Sequence, residues 1–216
     1  MNIPISACII AQNEEKYIEK AIKNLLPNVS EVLVIDGGST DNTIPICKNL
    51  GCRVNIHEFQ FNFAAQRNYA MSICSSEWIL FCDADEWFSE SFYDILPTLL
   101  TKGTVKYPNC RGYHVFRISK FDGENVGEDF QWRVLRKNSG VWNGRVHEGF
   151  TFNRDFYGLK LPKERYMMHE HTMQKQLWSN KLYYNINQNI KKRPADNEGC
   201  DYQKDKWVDR EINRNK

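Results

Sequence analysis

Short apolar runs separated by helical patterns constrain the fold of the first hundred residues most strongly. Residues 5–11, 32–35 and 78–82 are nearly continuous apolar runs, and residues 52–56 form a weaker fourth run. Strands covered on both faces have this character, and they are typical of parallel sheets flanked by helices. We therefore predict an α/β fold with an open, twisted, mostly parallel sheet.

Helical patterns lie between these runs and after them. Residues 14–26 place their apolar side chains on one stripe, which Pro27 ends. Residues 42–50, 63–74 and 89–100 predict three further helices. Strands that alternate with helices indicate βαβ crossovers, which agrees with a parallel sheet.

The pattern changes in the second half of the chain. Residues 112–119 alternate like a strand with one wet face, and shorter aromatic-rich runs lie within 130–152. These runs predict a small mixed β extension of the sheet. Residues 173–190 predict a C-terminal helix, and residues 191–216 form a polar tail of mixed charge.

Composition excludes several classes of protein. The 216 residues carry 29 basic and 27 acidic side chains, a balance that gives no reason to expect a specific nucleic-acid partner. Seven cysteines without a C-x-x-C pair indicate a reducing compartment. A signal peptide and a membrane-spanning run are not expected, so we predict a cytoplasmic protein. Peripheral membrane contact and the oligomeric state are left open.

Three polar motifs directly follow three of the apolar runs. Residues 12–14 follow the first run, residues 36–41 the second and residues 83–86 the fourth in chain order. In a parallel sheet all three motifs emerge at the carboxyl ends of the strands, the edge where open α/β sheets bind ligands. Each motif alone is a weak signal, and their common position predicts a ligand site.

The motif Asp83-Ala84-Asp85 has the character of a metal site. Two carboxylates two residues apart can turn toward one ion, and Mg²⁺ typically takes one or two carboxylates together with water and substrate phosphate. An isolated motif of this kind is more often a solvated acidic turn. Together with the other motifs it favours Mn²⁺ or Mg²⁺ shared with a diphosphate.

The other two motifs are candidates for nucleotide contacts. The carboxylate of Asp36 can accept from a nucleobase or a ribose hydroxyl, and Gly38 allows a tight turn. Asn13 and Glu14 either bind ligand or cap the following helix. Arg67 is either a solvated charge or a group that neutralises a diphosphate. The donor-nucleotide candidates are therefore Gln12, Asn13, Glu14, Asp36, Gly38, Arg67, Asp83 and Ala84.

Other nucleotide and hydrolase motifs are absent from the sequence. No G-x-G-x-x-G follows the first strand, and no G-x-x-x-x-G-K-[ST] occurs, which disfavours dinucleotide-binding and P-loop proteins. No G-x-S-x-G elbow occurs either.

The motifs together resemble those of the family 2 glycosyltransferases, which have the GT-A fold. The resemblance rests on residues 5–14, 34–43, 65–68 and 81–86 and covers about residues 3–100. It implies an inverting, metal-dependent transfer of sugar from a nucleotide sugar, with a UDP-sugar as the expected donor and a glycan or glycoconjugate as the acceptor.

The resemblance also implies individual roles. Asp36 is expected to contact the nucleoside, Asp83 to lie near the ribose and the metal, and Asp85 to ligate the metal. Imidazole can complete a metal shell, so His171 or His169 is a further ligand candidate, although a lone histidine is more often structural.

The second half resembles a narrower group, the enzymes similar to lipopolysaccharide core β-1,4-glucosyltransferases. Residues 129–136, residues 145–148 and a histidine within residues 168–171 carry this similarity. The candidates for an acceptor or sugar site are Trp132, Arg133, Arg136, His147 and Glu148. Aromatic residues at this density are more often part of the core, and a lone histidine is more often structural.

An inverting transfer needs a base that takes the proton of the acceptor hydroxyl. Our candidate is Asp129, with Glu128 as the alternative, because both end a loop at residues 123–129 that we expect to be flexible. An ordinary acidic loop residue is the competing interpretation.

The predicted domain spans residues 1–171, with a nucleotide-sugar half at 1–102 and an acceptor half at 103–171. Residues 172–216 form the C-terminal helix and tail. Two alternatives to sugar transfer stay open: a nucleotidyltransferase that acts on a sugar phosphate, and a non-catalytic module that binds nucleotide or sugar.

Overall fold

A computed structural model describes residues 3–191. The predicted polar tail lies outside the described residues, apart from its first residue. The strands are β1 (Ile3–Ala11), β2 (Val29–Asp36), β3 (Arg53–Ile56), β4 (Trp78–Asp83), β5 (Glu86–Phe88), β6 (Cys110–Phe121), β7 (Glu124–Arg136), β8 (Gly140–Asn143), β9 (Gly149–Phe152), β10 (Tyr157–Lys160) and β11 (Tyr166–His171). The helices are α1 (Ile18–Leu25), α2 (Thr43–Asn49), α3 (Phe63–Ile73), α4 (Glu90–Thr98), α5 (Thr104–Lys106) and α6 (Met173–Lys191), and a π-helical turn, Leu99–Gly103, joins α4 to α5.

Within the described residues, nine strands form one mixed sheet in the order β3-β2-β1-β4-β7-β6-β11-β5, with β10 paired to β6. The first four are mutually parallel, and the βα units between them supply the crossovers. The predicted α/β GT-A-type sheet with a mixed extension is therefore confirmed.

The register of the parallel strands brings the three polar motifs together. Ala11 at the end of β1 lies opposite Asp36, and its neighbour Ile10 lies opposite Asp83. Since the strands run in the same direction, the segments that follow them leave from one edge of the sheet. The predicted common edge is confirmed.

The core explains why the apolar runs are continuous. Ile5, Ala7 and Ile9 of β1 face a cluster that contains α1 and α4, whereas Cys8 faces a second cluster with α3. Alternate side chains of the same strand are thus buried on both faces of the sheet. The six cysteines among the described residues are buried free thiols.

The second half is more regular than its sequence suggests. Residues 123–129 were expected to be a flexible loop, and that expectation is wrong, because β7 begins at Glu124 and pairs with β6 as a long antiparallel hairpin. These residues are polar and lie in part on the exposed end of the hairpin, so they carry no apolar alternation. Strands β5, β10 and β11 were not predicted from the sequence.

Glu31 on β2 ties together the amino-terminal ends of the parallel strands. Its carboxylate accepts hydrogen bonds from Ser6 Oγ at 2.6 Å, from the Ser75 backbone at 3.0 Å and from Arg53 Nη1 at 3.0 Å. Burial alone raises the pKa of Glu31, but these hydrogen bonds outweigh it and lower the pKa to about 2. The ionised carboxylate therefore stabilises the fold.

We predict that Glu31→Gln lowers the free energy of unfolding by about 1–3 kcal/mol at pH 7, a range that allows for solvent screening of the partly exposed group. A depressed pKa contributes stability above the unfolded value of 4.5 that is lost as the pH falls toward about 2. The difference between variant and wild type should shrink across that window in urea unfolding curves. Glu19→Gln, an exposed change on α1, is the control, and a Glu31→Gln effect that does not vary with pH would contradict the argument.

Candidate active site

A cavity of about 520 Å³ opens at the carboxyl edge of the parallel strands and is covered in part by α6. Strand ends from the first half, β6, β7 and β11 from the second half, and α6 all contribute to its wall. The charged side chains that line it are Glu14, Arg67, Asp83, Asp85, Arg117, Arg133, Glu148 and Lys175. Acidic and basic side chains are equal in number in this set.

Asp85 and two histidines of β11 form a cluster with the composition of a metal site. His171 Nδ1 lies 2.8 Å from Asp85 Oδ2, and His169 Nε2 lies 3.6 Å from the same oxygen. One ligand atom from each residue lies within 4.8 Å of the others. β11 places both imidazoles here because it pairs with β5, the strand that follows Asp85.

The second nitrogen of each imidazole is held by a neighbour. His171 Nε2 lies 2.8 Å from Gln176 Oε1, and His169 Nδ1 lies 3.2 Å from Ser119 Oγ. Metal-ligating histidines are commonly oriented in this way, with one nitrogen facing the ion and the other bound to protein. The cluster therefore has oriented imidazoles as well as suitable donors.

The buried acid at the centre of the cluster stays ionised. Burial disfavours the charged form of Asp85, but the two imidazoles and the charge of Lys175 outweigh it and hold the pKa of Asp85 well below its ordinary value. Burial lowers the pKa of His169, and Asp85 reverses this and raises it. The carboxylate is thus available as an anionic ligand at neutral pH.

Lys175 of α6 reaches into the same cluster. Its ammonium lies 2.9 Å from Asp85 Oδ2 and 2.5 Å from Glu14 Oε2. Burial raises the pKa of Glu14 to about 7, with further raising contributions from Asp85 and Asp83, although Lys175 opposes them. The ammonium therefore bridges two acids that follow different strands.

Asp83 lies between two buried guanidinium groups. Arg67 Nη2 donates to Asp83 Oδ1 at 2.8 Å, and Arg133 Nη2 donates to Asp83 Oδ2 at 3.0 Å. Both carboxylate oxygens are occupied, and the cluster found among the described residues contains Asp85 without Asp83. The expectation that Asp83 is itself a metal ligand does not agree with this geometry.

The two arginines are fixed by further carboxylates. Arg133 bonds both oxygens of the fully buried Glu86, at 3.0 and 2.7 Å, and Arg67 Nε donates to Glu148 Oε1 at 2.6 Å. The Arg67 guanidinium also lies 5.1 Å from the Trp142 ring centroid. Its Nη1 is buried and has no hydrogen-bond partner among the described residues.

The nucleotide candidates divide into cavity residues and loop residues. Asp36 is fully buried, and its carboxylate accepts from the Gly38 and Ser39 backbones and from Ser39 Oγ. Asn13 adopts a positive φ of 57° and accepts from the Thr40 backbone. These side chains hold the loops that follow β1 and β2, and neither side chain lines the cavity, nor does Gly38.

Other members of the same prediction do line the cavity. Gln12 faces it and donates from Nε2 to the Gly37 carbonyl at 3.0 Å. Glu14 and Arg67 line it as described above, and Ala84 lies in its wall beside the acids.

Asp129 lies on β7 and is paired with an arginine. Arg117 donates to both of its oxygens, at 2.9 and 2.8 Å, and Gln131 donates at 2.7 Å. Burial alone raises the pKa of Asp129, but Arg117 and Gln131 outweigh it and lower the pKa. Neither Asp129 nor Glu128 lines the cavity. Asp129 is bonded to two residues that do line it, Arg117 and Gln131, whereas Glu128 lies 3.8 Å from Lys163, which does not.

Two of the acceptor candidates lie away from the cavity. Arg136 pairs with Glu77 beside the first residue of β4, whereas the site is at the last. Trp132 packs against His114, with the ring centroids 3.4 Å apart, because alternate residues of β7 point to opposite faces. Neither position fits the predicted sugar site.

The remaining acceptor candidates, Arg133, His147 and Glu148, line the cavity. His147 has a positive φ of 52° and lies beside Tyr183 of α6, with ring centroids 5.4 Å apart. Arg117, Gln176 and Lys175 were not predicted as site residues. They lie in predicted strands and helices near residues that were candidates, but that position does not distinguish one polar side chain from another.

An α/β sheet with acids at the carboxyl edge of its parallel strands defines the class of protein, and comparison with known sequences gives the family. A family profile described as "Glycosyl transferase family 2" matches residues 6–199. The chain therefore belongs to glycosyltransferase family 2. The predicted family is confirmed, and it is a family of glycosyltransferases rather than of nucleotidyltransferases.

Individual relatives agree. The chain is 31% identical over 162 residues to the lipopolysaccharide core biosynthesis glycosyltransferase LpsC of Rhizobium meliloti, which covers 69% of this chain and 57% of LpsC. It is 39% identical over 160 residues to an uncharacterized glycosyltransferase of Rickettsia typhi, covering 70% of this chain and 54% of that protein. The chain spans about half the length of these curated relatives.

A solved structure has the same fold. S. aureus TarS 1–349 matches with a TM-score of 0.51 at 17% identity, over 88% of this chain and 64% of that chain. Among the described residues no helix combines the length and apolar character that crossing a bilayer requires.

We predict that Arg133→Met lowers the free energy of unfolding by about 3–5 kcal/mol, because it removes the cation that is bonded to the buried Glu86 and leaves Arg117, at 3.8 Å, as its counter-charge. Arg136→Met is the matched control on the same strand. Its partner Glu77 is 61% exposed, so its loss should cost at most about 1 kcal/mol. Urea unfolding of both variants measures the difference, and equal losses would contradict this account of the buried pair.

Proposed function

We propose that the chain catalyses a metal-dependent, inverting transfer of sugar from a nucleoside-diphosphate sugar to an acceptor hydroxyl. The observation that carries the proposal is the oriented cluster of Asp85, His169 and His171 in the wall of the cavity at the carboxyl edge. A diphosphate carried by such a donor would lie within reach of the same wall.

The ligand atoms of the cluster, from one carboxylate and two imidazoles, fit a divalent ion that binds both nitrogen and oxygen. Mg²⁺ prefers oxygen ligands, whereas imidazole suits first-row transition ions. Asp85, His169 and His171 would hold the ion, and we propose Mn²⁺ rather than Mg²⁺ on the basis of the two imidazoles. When bound, the ion supplies positive charge to the leaving diphosphate.

Arg67 is proposed to assist the diphosphate directly. Its guanidinium is fixed by Asp83 and Glu148, while Nη1 lacks an acceptor among the described residues. An unpaired donor on a buried charged group is costly, and a phosphate oxygen would supply the missing partner. Asp83 then acts by orienting Arg67 and Arg133, and its expected approach to the ribose stays a prediction.

A UDP-sugar is the proposed donor. TarS, which shares the fold, has been solved in complex with UDP and with UDP-GlcNAc, and this motivates testing uridine donors first. The wall formed by Gln12, Gly37 and Phe59, which follow β1, β2 and β3, is the proposed position of the nucleoside. Asp36 and Asn13 would hold the loops beside it, and a direct contact of Asp36 with the nucleoside stays a prediction.

The proposed chemistry is a single displacement. The acceptor oxygen forms a bond to the anomeric carbon as the bond from that carbon to the phosphate oxygen breaks, and the acceptor proton passes to a base. We propose Asp129 as that base, because its carboxylate is held by Arg117 and Gln131, two side chains that line the cavity. Its arginine partner must release at least one oxygen for this role, since a carboxylate of lowered pKa is a weak base.

A glycan or glycoconjugate is the proposed acceptor, and the similarity to a lipopolysaccharide core enzyme supports a glycan of that kind. His147 and Glu148, which line the cavity beside α6, are the proposed acceptor residues.

We predict that Asp85→Asn lowers kcat by at least about 10², because it removes the charge that holds the ion. The assay incubates the protein with a panel of nucleotide sugars and Mn²⁺ and measures release of nucleoside diphosphate. Asp94→Asn, an exposed change on α4, is the matched control. Near-normal turnover of Asp85→Asn would reject the metal site.

We also predict that Asp129→Asn lowers kcat by about 10²–10⁴ while the KM for the donor changes little, since a base acts on the acceptor proton. Glu128→Gln, one residue away and paired with Lys163 rather than with a residue of the cavity wall, should retain activity. If the two variants are equally active, the base lies elsewhere.

A further inference from the structure

Helix α6 brings a cation into the proposed metal site. The ammonium of Lys175 lies 2.9 Å from Asp85 Oδ2, the oxygen that both His169 and His171 also face. The Lys175 side chain is only 17% exposed, and its second contact is Glu14 at 2.5 Å. A fixed positive charge thus already lies at the carboxylate oxygen that would ligate an ion.

A lysine and a divalent ion compete for such an oxygen. A small divalent ion binds a carboxylate oxygen at roughly 2.0–2.2 Å, and two positive charges within a few ångströms of each other repel strongly in a partly buried site. The ammonium and the ion therefore weaken each other's binding at this oxygen.

We propose that Lys175 is the internal counter-ion of Asp85 in the metal-free protein and leaves Asp85 when a divalent ion binds. The inference rests on the proposed metal-dependent function. Glu14 gives the displaced ammonium a remaining partner, so the charge is not left unpaired in the cavity. Lys175 then sets the affinity for the ion and links ion binding to the first turn of α6.

The neighbouring residue of α6 has the opposite effect. Gln176 Oε1 lies 2.8 Å from His171 Nε2 and orients that imidazole without approaching Asp85. Gln176 thus orients a metal ligand, whereas Lys175 competes with the ion. Because the two residues are consecutive in α6, the position of α6 relative to β11 controls both effects.

The first experiment measures Mn²⁺ binding by calorimetry for wild type, Lys175→Met and Lys181→Met. Methionine keeps the length of the side chain and removes the charge, and Lys181 is an exposed lysine on the same helix. Lys175→Met should bind Mn²⁺ at least about 10-fold more tightly than wild type, because a competing charge is gone. Lys181→Met should bind like wild type.

The second experiment uses wild-type protein and so does not depend on the folding of a variant. An amine-reactive ester labels lysines with and without saturating Mn²⁺, and mass spectrometry quantifies each site. Labelling of Lys175 should rise severalfold with Mn²⁺ while labelling of Lys181 stays constant. The Asp85→Asn protein should show no Mn²⁺-dependent change at Lys175.

The outcomes separate this inference from the function on which it rests. Mn²⁺ binding that is unchanged or weaker in Lys175→Met, or Lys175 labelling that Mn²⁺ leaves unchanged, overturns the role of Lys175 and leaves metal-dependent transfer intact. Absence of Mn²⁺ binding in both wild type and Lys175→Met overturns the metal site and the inference together.

Discussion

The buried carboxylate of Asp85 imposes the constraint on which the site depends. A carboxylate buried at the edge of a sheet must be compensated, because an isolated buried charge is too costly to persist. Its compensation comes from His169 and His171 of β11 and from Lys175 of α6, which are distant in sequence. The fold must therefore close the second half of the chain over the first for this charge to stay ionised.

The charge of Asp83 must be compensated in the same way, and a different kind of side chain compensates it. Two guanidinium groups, from Arg67 and Arg133, neutralise it, and each arginine is held by a second carboxylate. Guanidinium is always protonated and binds carboxylates in fixed directions, which makes the arrangement rigid. Asp83 and Asp85, separated by one residue, thus have different roles. Asp83 holds two arginines in place, whereas Asp85 faces imidazoles that can bind an ion.

The sequence predicted the sheet because its signal is local. The apolar runs, the helical stripes and the polar motifs after β1, β2 and β4 all follow from neighbouring residues. The partners of Asp83 and Asp85 could not be predicted with the same certainty, because they depend on the register of β7 and β11 against other strands. Trp132 was placed wrongly for this reason, since a shift of one residue along β7 moves a side chain to the opposite face. Arg136 was placed wrongly because it lies opposite the first residue of β4, whereas the site lies at the last. The hairpin end at Glu124 was taken for a loop because exposed polar strands lack alternation.

The charge balance of the cavity bears on how a donor is accommodated. The basic side chains that line it are each paired with a carboxylate, as Arg67 is with Glu148 and Lys175 is with Glu14. A dianionic diphosphate entering such a cavity gains little net attraction from cations that are already neutralised. The proposed divalent ion at Asp85 would supply the missing positive charge, while the ammonium of Lys175 would keep Glu14 as its partner. Binding of the ion at Asp85 would thus change a cavity whose acidic and basic side chains are equal in number into one that attracts the proposed anionic donor.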